Sequence, residues 1–531
     1  MNDRSNLYQI RELPSDTAHN TPVRVICYLQ SQLTELDAQQ KEIAHKYYDG
    51  AQRIRGLAGA GKTITFAQRS AQIHYDHPEW KIAFIFFTRS LYQQVIQERI
   101  SQYYHQLSPE KKPNWENLKV FHAWGAKDKE GFYRHLCLFY QSRCQVTCQK
   151  CHFPLRQCQF SSQSVDNVKE KLGKNISPGK GFQYVCDDLE KKITEFVELY
   201  DVILIDEGQD LPPSFYRLAR NSLHEPKRLY WAYDEAQSIG SLIVPQPSTI
   251  FGKNPDGSLV VDLRGRAENW NKSYRTPSLL LTIAHAVNMG LLRKKGVLQG
   301  VSNQKQWENL GYEVVEGDFS QNSVKEGKLV KITRKPENNP HPVDNVNFPH
   351  REALGEILTI KILNNEVEEK IWIAQQIKQD LQQGLQPHDI LITALGGKKN
   401  KQYLEGLKQE LFKHNIPSFI VGEKASIDQF YKQGFVTISN IYRAKGNEAW
   451  KVYACRFHYA TQPLEYKQET ELHKRNEALV ALTRSRVWCV VTGLKSPIFE
   501  ELEQAKKQFP YLNFPAFNSK LLQRVTDNNE E

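Results

Sequence analysis

Three stretches of this chain carry residue types whose spacing could do chemistry. The first, 56–63, reads GLAGAGKT and fits G-x-x-x-x-G-K-[ST]. Gly56, Gly59 and Gly61, with the small Ala58 and Ala60 among them, let successive backbone N–H groups wrap a polyphosphate. Lys62 would reach the terminal phosphates, and the Thr63 hydroxyl would bind Mg²⁺. The second, 202–210, reads VILIDEGQD, an apolar run ending in two adjacent carboxylates. A buried strand puts such a pair at the carboxyl edge of a sheet, where ligands bind. Asp206 suits a Mg²⁺ ligand, and Glu207 suits orienting and deprotonating an attacking water. Together the two stretches predict nucleoside triphosphate hydrolysis.

The third is Cys144-x3-Cys148-x2-Cys151-x6-Cys158, four of the nine cysteines within fifteen residues. The tight C-x-x-C turn suits two adjacent vertices of a zinc tetrahedron, and the outer two thiols could close a Cys₄ site. His152, His135, Cys137 and Cys186 are substitute ligands. Zn²⁺ is the expected occupant; unligated thiols or a redox role are the alternatives. Lys150, Arg156, Lys169, Lys171 and Lys174 would favour phosphate contact by this segment, and a solvated basic loop explains them equally.

These groups need sheets to position them. Apolar runs at 81–87 (KIAFIFF), 119–121, 202–205 and 228–233 read as buried parallel strands, since strands covered on both faces lose the usual alternation. A second set follows at 389–395, 435–439, 452–457 and 487–491, with helical stretches at 368–383 and 471–483. The expected architecture is therefore α/β, with two parallel-sheet domains. The first spans 1–270, with a Cys-rich insertion at about 137–186; the second spans 271–495, with an irregular insertion at about 291–365. Residues 496–531 are expected to be a C-terminal tail.

Composition fits this division. At 531 residues the chain exceeds the roughly 300 at which single cores stop growing. With 40% hydrophobic and 24% charged residues it is globular in composition. No apolar run approaches the roughly 18 residues of a spanning helix, and the start lacks the apolar stretch of a secretory signal. A cytoplasmic chain without a membrane partner is expected. Lys+Arg 70 against Asp+Glu 60 gives a net charge of +10, which permits attraction to nucleic acid.

Further segments, in order, resemble the motif set of superfamily 1 helicases of the UvrD/Rep-like group. Leu36-Asp37-Ala38-Gln39-Gln40 is similar to the Q motif, whose Gln, here Gln40, reads adenine. GLAGAGKT is similar to motif I, Phe87-Thr88-Arg89-Ser90 to motif Ia, and Val120-Phe121-His122-Ala123-Trp124 to the next DNA-side motif. DEGQD is close to motif II, D-E-x-Q-D. Tyr233-Asp234-Glu235-Ala236-Gln237-Ser238-Ile239 resembles motif III, in which Gln237 would couple the phosphate site to nucleic acid. Tyr274-Arg275-Thr276-Pro277 is similar to motif IV, whose tyrosine stacks on adenine and whose arginine touches the γ-phosphate. Ala444-Lys445-Gly446-Asn447-Glu448 resembles motif V, with Gly446 at the nucleotide and Glu448 near the ribose. Val480-Ala481-Leu482-Thr483-Arg484 matches motif VI, with Arg484 as arginine finger.

The resemblance covers about 36–492 and implies two RecA-like P-loop motor domains that use ATP and Mg²⁺ to translocate along or unwind single-stranded nucleic acid, with DNA the expected strand. Phe87, Arg89, His122 and Lys445 are the nucleic-acid contacts carried by motif position. The sequence departs where the family has a base-stacking tryptophan segment after motif III, here GSLIVPQPS, and at Asn440 and Tyr442 before motif V. These departures favour translocation or remodelling over processive unwinding. The alternatives are an ATP-gated nucleic-acid sensor or adaptor controlling a partner in repair or phage defence, and an RNA-acting motor of the same superfamily. No nuclease cluster follows 492, so a nuclease would be a separate chain.

Overall fold

The computed structural model describes residues 11, 20–33, 38–87, 93–125, 130–147, 158–173, 178–237, 246–301, 304–317, 328–396, 400–423, 429–463, 470–517, 522 and 524–525. The protein is α/β. Its strands in chain order are β1 (Gln52–Gly56), β2 (Ile82–Phe86), β3 (Leu118–His122), β4 (Tyr200–Ile205), β5 (Leu223–Tyr233), β6 (Ala267–Trp270), β7 (Gln299–Gly300), β8 (Tyr312–Glu316) and β9 (Leu329–Arg334). There follow β10 (Leu358–Leu363), β11 (Ile390–Ala394), β12 (Ser418–Ile420), β13 (Val436–Asn440), β14 (Ala449–Cys455), β15 (Ser485–Leu494), β16 (Tyr511–Pro515) and β17 (Arg524–Val525). None of the described helices is long and apolar enough to cross a membrane.

Two compact units emerge. One is built on Ala38–Gly56 and Lys62–Asn269 around a six-stranded sheet of order β3-β2-β4-β5-β1-β6. The β2–β3, β2–β4, β4–β5 and β1–β5 pairings are parallel. β1 and β2 are buried along their whole length; burial on both faces is why β2, IAFIF, runs apolar without alternation, whereas β1, QRIRG, buries polar side chains beside its one isoleucine. The described parts of 137–186, expected as a Cys-rich insertion, are largely helical. The helices Phe132–Thr147, Val165–Leu172 and Pro178–Lys192 put Tyr140, Val168, Phe182, Val185 and Leu189 into the same core as Ile203 and Ile205 of β4. An apolar residue every three or four positions gives these helices a face to bury.

The other unit is built on Trp270 onward, with the helix Pro22–Leu33 and the loop tip Leu57–Gly61. Its six-stranded sheet has the order β10-β15-β14-β11-β13-β12, parallel throughout. The helix Pro22–Leu33 falls here rather than with 1–270, because Val25, Ile26 and Leu29 pack on Val343, Leu354, Trp450 and Val487.

Two further expectations are corrected in this unit. The stretch 291–365, expected to be irregular, contains the helix Gln304–Asn309 and strands β7 to β10, and β10 forms an edge of the six-stranded sheet. Its Pro/Asn-rich centre carries the 3₁₀ turns Pro336–Asn338 and Pro342–Asp344. The expected tail is also structured. The helix Pro497–Gln508 buries Ile498, Phe499, Leu502 and Ala505, and β16 pairs antiparallel with β9 to complete a three-stranded sheet. Alternation explains this strand, since Leu512 and Phe514 are buried while Tyr511 and Pro515 are exposed.

Phe514 is fully buried, with its ring 5.8 Å from that of Trp307. Phe514→Ala should therefore cost about 3–5 kcal/mol, read as a lower urea midpoint at unchanged m-value. An unshifted midpoint would mean that β16 is not part of the cooperative unit.

Candidate functional site

β1 ends at Gly56, and the helix Lys62–Asp76 starts six residues later. In the intervening loop Gly59 has φ +75 and Gly61 φ +91, a region that costs a residue with a Cβ roughly 1–2 kcal/mol. A Cβ on Gly59 would also lie 2.8 Å from Ser273 Oγ. Ala58 and Ala60 are buried. The Lys62 ammonium turns back and donates to Gly56 O at 2.7 Å.

The two carboxylates sit just past the end of β4. In the sheet, β5 lies between β1 and β4, yet Thr63 Oγ1 donates to Asp206 Oδ2 at 2.6 Å. The two sequence motifs thus meet side chain to side chain. Asp206 is fully buried, and burial, then the neighbouring Glu207, push its carboxyl up to about 6 against the opposing pull of Thr63 and Lys62. Its Oδ1 is buried without a hydrogen-bond partner among the described residues, an arrangement costly unless a cation or donor meets it. A hydroxyl and a carboxylate with an open oxygen are the hard donors that Mg²⁺ takes, so the residues present fit that ion.

Glu207 has φ 57, in the left-handed region that few non-glycine residues adopt. Gly208 follows because nothing larger fits: a Cβ there would lie 2.4 Å from Tyr216 Oη, whose hydroxyl donates to Gly208 O at 2.7 Å. Gln209 Nε2 donates to Glu207 Oε2, and Gln209 Oε1 accepts from Asp234 N at 3.1 Å. Asp234 then accepts from Ala236 N at 3.1 Å through Oδ1 and from Gln237 Nε2 at 2.6 Å through Oδ2. Sequence reasoning assigned no role to Gln209, Asp234 or Tyr216. The Gln of D-E-x-Q-D was visible, but its partner lies twenty-five positions away.

In the other unit, Glu448 is held between two arginines. Arg275 Nη1 lies 2.8 Å from Glu448 Oε1, and Arg486 Nε lies 3.1 Å from Oε2. Burial would raise the Glu448 carboxyl, but Arg275, Arg486 and Arg484 outweigh it and bring it down to about 2. Glu448, expected near a ribose, therefore has each carboxylate oxygen on an arginine. Arg486 was not singled out from the sequence, although it stands two residues beyond Arg484. Arg275 Nε is buried with no acceptor among the described residues. Arg484 is buried and bonded to Val480 O at 3.0 Å. Gly446 has φ 79. Within this unit the loop tip is gripped by Ser273 Oγ, which donates to Ala58 O at 3.0 Å, and by Tyr274 N, which donates to Gly59 O at 3.1 Å.

No protein-family model matches the chain, and no curated protein matches it.

The expected nucleic-acid contacts divide. Phe87 is half-buried, stacked on His122 with ring centroids 6.0 Å apart and packed beside Phe182. His122 Nδ1 accepts from Trp124 N and Gly125 N, both at 3.1 Å, so this imidazole shapes the turn after β3. Lys445 is only 1% exposed, so it does not present its ammonium to a strand in this conformation. Arg89 lies outside the described residues. Gln40 belongs to the helix Ala38–His45, and its side chain lies outside them.

Of the cysteine cluster, Cys148 and Cys151 lie outside the described residues, as does His152. Cys144 and Cys158 are buried in the core. The substitutes Cys137 and Cys186 are core thiols too, the first pushed up to about 12 by burial and the second raised by the same cause. His135 is paired with Glu130 at 2.7 Å. Among the described residues no group of three or more His, Cys, Asp or Glu is placed to hold a metal.

Two outcomes follow from these contacts. Gly208→Ala should lower stability by about 1–3 kcal/mol through overpacking, and Tyr216→Phe, which removes the clashing oxygen, should recover part of that loss in the double variant. Equal melting temperatures for Gly208→Ala and wild type would refute the crowding. For Glu448 the folded carboxyl titrates at about 2, below its ordinary 4.5. Its contribution is therefore complete above pH 4.5 and lost as pH falls toward 2. The stability gap between wild type and Glu448→Gln should narrow over that interval, as measured by urea unfolding at stepped pH.

Proposed function

We propose that the protein hydrolyses ATP with Mg²⁺ and couples hydrolysis to movement along single-stranded nucleic acid, DNA being the strand the resemblance implies. The observation that carries this reading is the 2.6 Å hydrogen bond from Thr63 to Asp206. It joins Thr63, the last residue of the GLAGAGKT motif, to a buried Asp-Glu pair past a strand end, two motifs separated by more than a hundred residues.

In this reading the 56–63 loop and Lys62 bind the polyphosphate. Thr63 and Asp206 hold Mg²⁺, which when bound neutralises charge on the terminal phosphates. Glu207 orients a water and accepts its proton as the oxygen bonds to the γ-phosphorus; the bond to the bridging oxygen breaks, and ADP leaves with the electron pair. Arg275 and Arg484 are assigned to the charge that grows on the transferred phosphoryl. Gln40 and Tyr274 are assigned to adenine.

Coupling to strand movement rests on the ordered motif set rather than on a strand contact. Two observations favour a second reading, an ATP-gated sensor or adaptor that controls a partner protein. The Lys445 side chain is buried, and the sequence lacks the base-stacking segment after motif III. Both weaken the grip expected of a processive motor.

Glu207→Gln should abolish ATP turnover while leaving ATP binding intact, because the amide cannot take the proton but preserves shape. Normal turnover in that variant would reject the assignment. ATPase rates with single-stranded DNA, duplex DNA and RNA identify the nucleic acid, and a strand-displacement assay separates motor from sensor. Stimulated hydrolysis without displacement favours the sensor.

A further inference from the structure

We propose that Gln209 is a positioning residue that sets the Glu207 carboxylate and ties its orientation to the Asp234–Gln237 segment. The inference rests on the ATPase reading above and deepens it.

Gln209 is fully buried, and its amide is engaged at both ends by groups that cannot be exchanged. Nε2 donates to Glu207 Oε2, and Oε1 accepts from the backbone N–H of Asp234 at 3.1 Å. Flipping the amide would set oxygen against carboxylate and NH₂ against N–H, two repulsive contacts in place of two attractive ones. The amide therefore has one stable orientation, and the carboxylate follows it.

The far end of the bracket is fixed in turn by side-chain chemistry. Asp234 Oδ2 accepts from Gln237 Nε2 at 2.6 Å, and Oδ1 accepts from Ala236 N at 3.1 Å. A change in what Gln237 contacts thus shifts the Asp234 turn, and Gln209 carries that shift to Glu207. The backbone at Glu207 and Gly208 cannot absorb it. Glu207 is already in the left-handed region, and Gly208 is pinned by Tyr216. A buried chain of hydrogen bonds with each member satisfied is stiff enough to transmit such a change. If Gln209 only filled space, its loss would alter stability and leave the catalytic parameters in proportion.

The test compares Gln209→Ala, Gln209→Glu, Gln237→Ala and the Gln209→Ala/Gln237→Ala double variant with wild type and Glu207→Gln. Each is read for kcat and KM for ATP, stimulation by an oligo-dT strand, and melting temperature. Misplacing a catalytic group by about an ångström costs on the order of a hundredfold. Gln209→Ala should lose kcat on that scale, with the KM for ATP changed less than about twofold, in line with an interaction realised in the transition state. Its oligo-dT stimulation should fall toward unity, and adding Gln237→Ala should reduce stimulation no further. Gln209→Glu keeps the packing but sets a second carboxylate against Glu207. It should show the same kcat loss, and it carries the test if the alanine variant does not fold.

Wild-type kcat and stimulation in a folded Gln209 variant would overturn the inference, as would a kcat loss with unchanged stimulation or a purely additive double variant. An inactive wild type would overturn the ATPase reading and this inference together. An active wild type with a dead Glu207→Gln and a fully active Gln209→Ala would overturn this inference alone.

Discussion

The burial of Asp206 is the constraint around which the first sheet's ligand edge is arranged. An ionised carboxylate taken out of water costs several kcal/mol unless partners replace its hydration. Here one oxygen receives the Thr63 hydroxyl at 2.6 Å, while the other has no partner. Glu207 beside it adds a second negative charge and raises Asp206 further. Two adjacent carboxylates in this setting are tolerable only if cations approach, and Lys62 supplies one of them. The loop, the first turn of the helix Lys62–Asp76 and the strand order with β5 between β1 and β4 are the geometry that brings these groups into range.

The second unit resolves the opposite problem. Arg275, Arg484 and Arg486 all act on Glu448, and three like charges gathered on one carboxylate leave an excess of positive charge. Removing Glu448 would leave buried guanidinium groups facing one another, the costly half of a broken buried ion pair. The carboxylate is therefore a counter-ion that lets the arginines coexist in the absence of another anion. This accounts for its engagement of both Arg275 and Arg486 through separate oxygens, a use that a ribose contact would not require.

How much of this was legible in the sequence follows from the range of each interaction. Strands buried on both faces announce themselves as continuous apolar runs, so 81–87 and 202–205 map onto β2 and β4 within a residue or two. The glycine-rich loop and the Asp-Glu pair were legible because their backbone demands, glycine at positive φ and a carboxylate at a strand end, are local. β9 and β16 were not legible. Each is short and alternating, and the two pair across almost two hundred positions. The helix Pro22–Leu33 has an apolar face, but nothing in it says which unit will cover that face. Gln209, Asp234 and Arg486 escaped for the same reason, since each owes its role to a partner chosen by the fold. The burial of Lys445 was not legible, because burial is a property of the neighbourhood and not of the motif.

Local rules are broken where these demands conflict. A glutamate in left-handed backbone and a carboxylate oxygen without a partner are features that a stable fold ordinarily avoids. Both occur in adjacent residues at one strand end, while the last four residues of that strand, Val202 to Ile205, are apolar and buried. Backbone strain at Glu207 has a local counterweight, because the bend also delivers Gly208 O to the Tyr216 hydroxyl and Glu207 to the Gln209 amide. No such counterweight exists for Asp206 Oδ1 among the described residues. A group that the surrounding structure crowds, buries and leaves one bond short is poised for a ligand rather than for stability, and Thr63 stands beside it with a second oxygen.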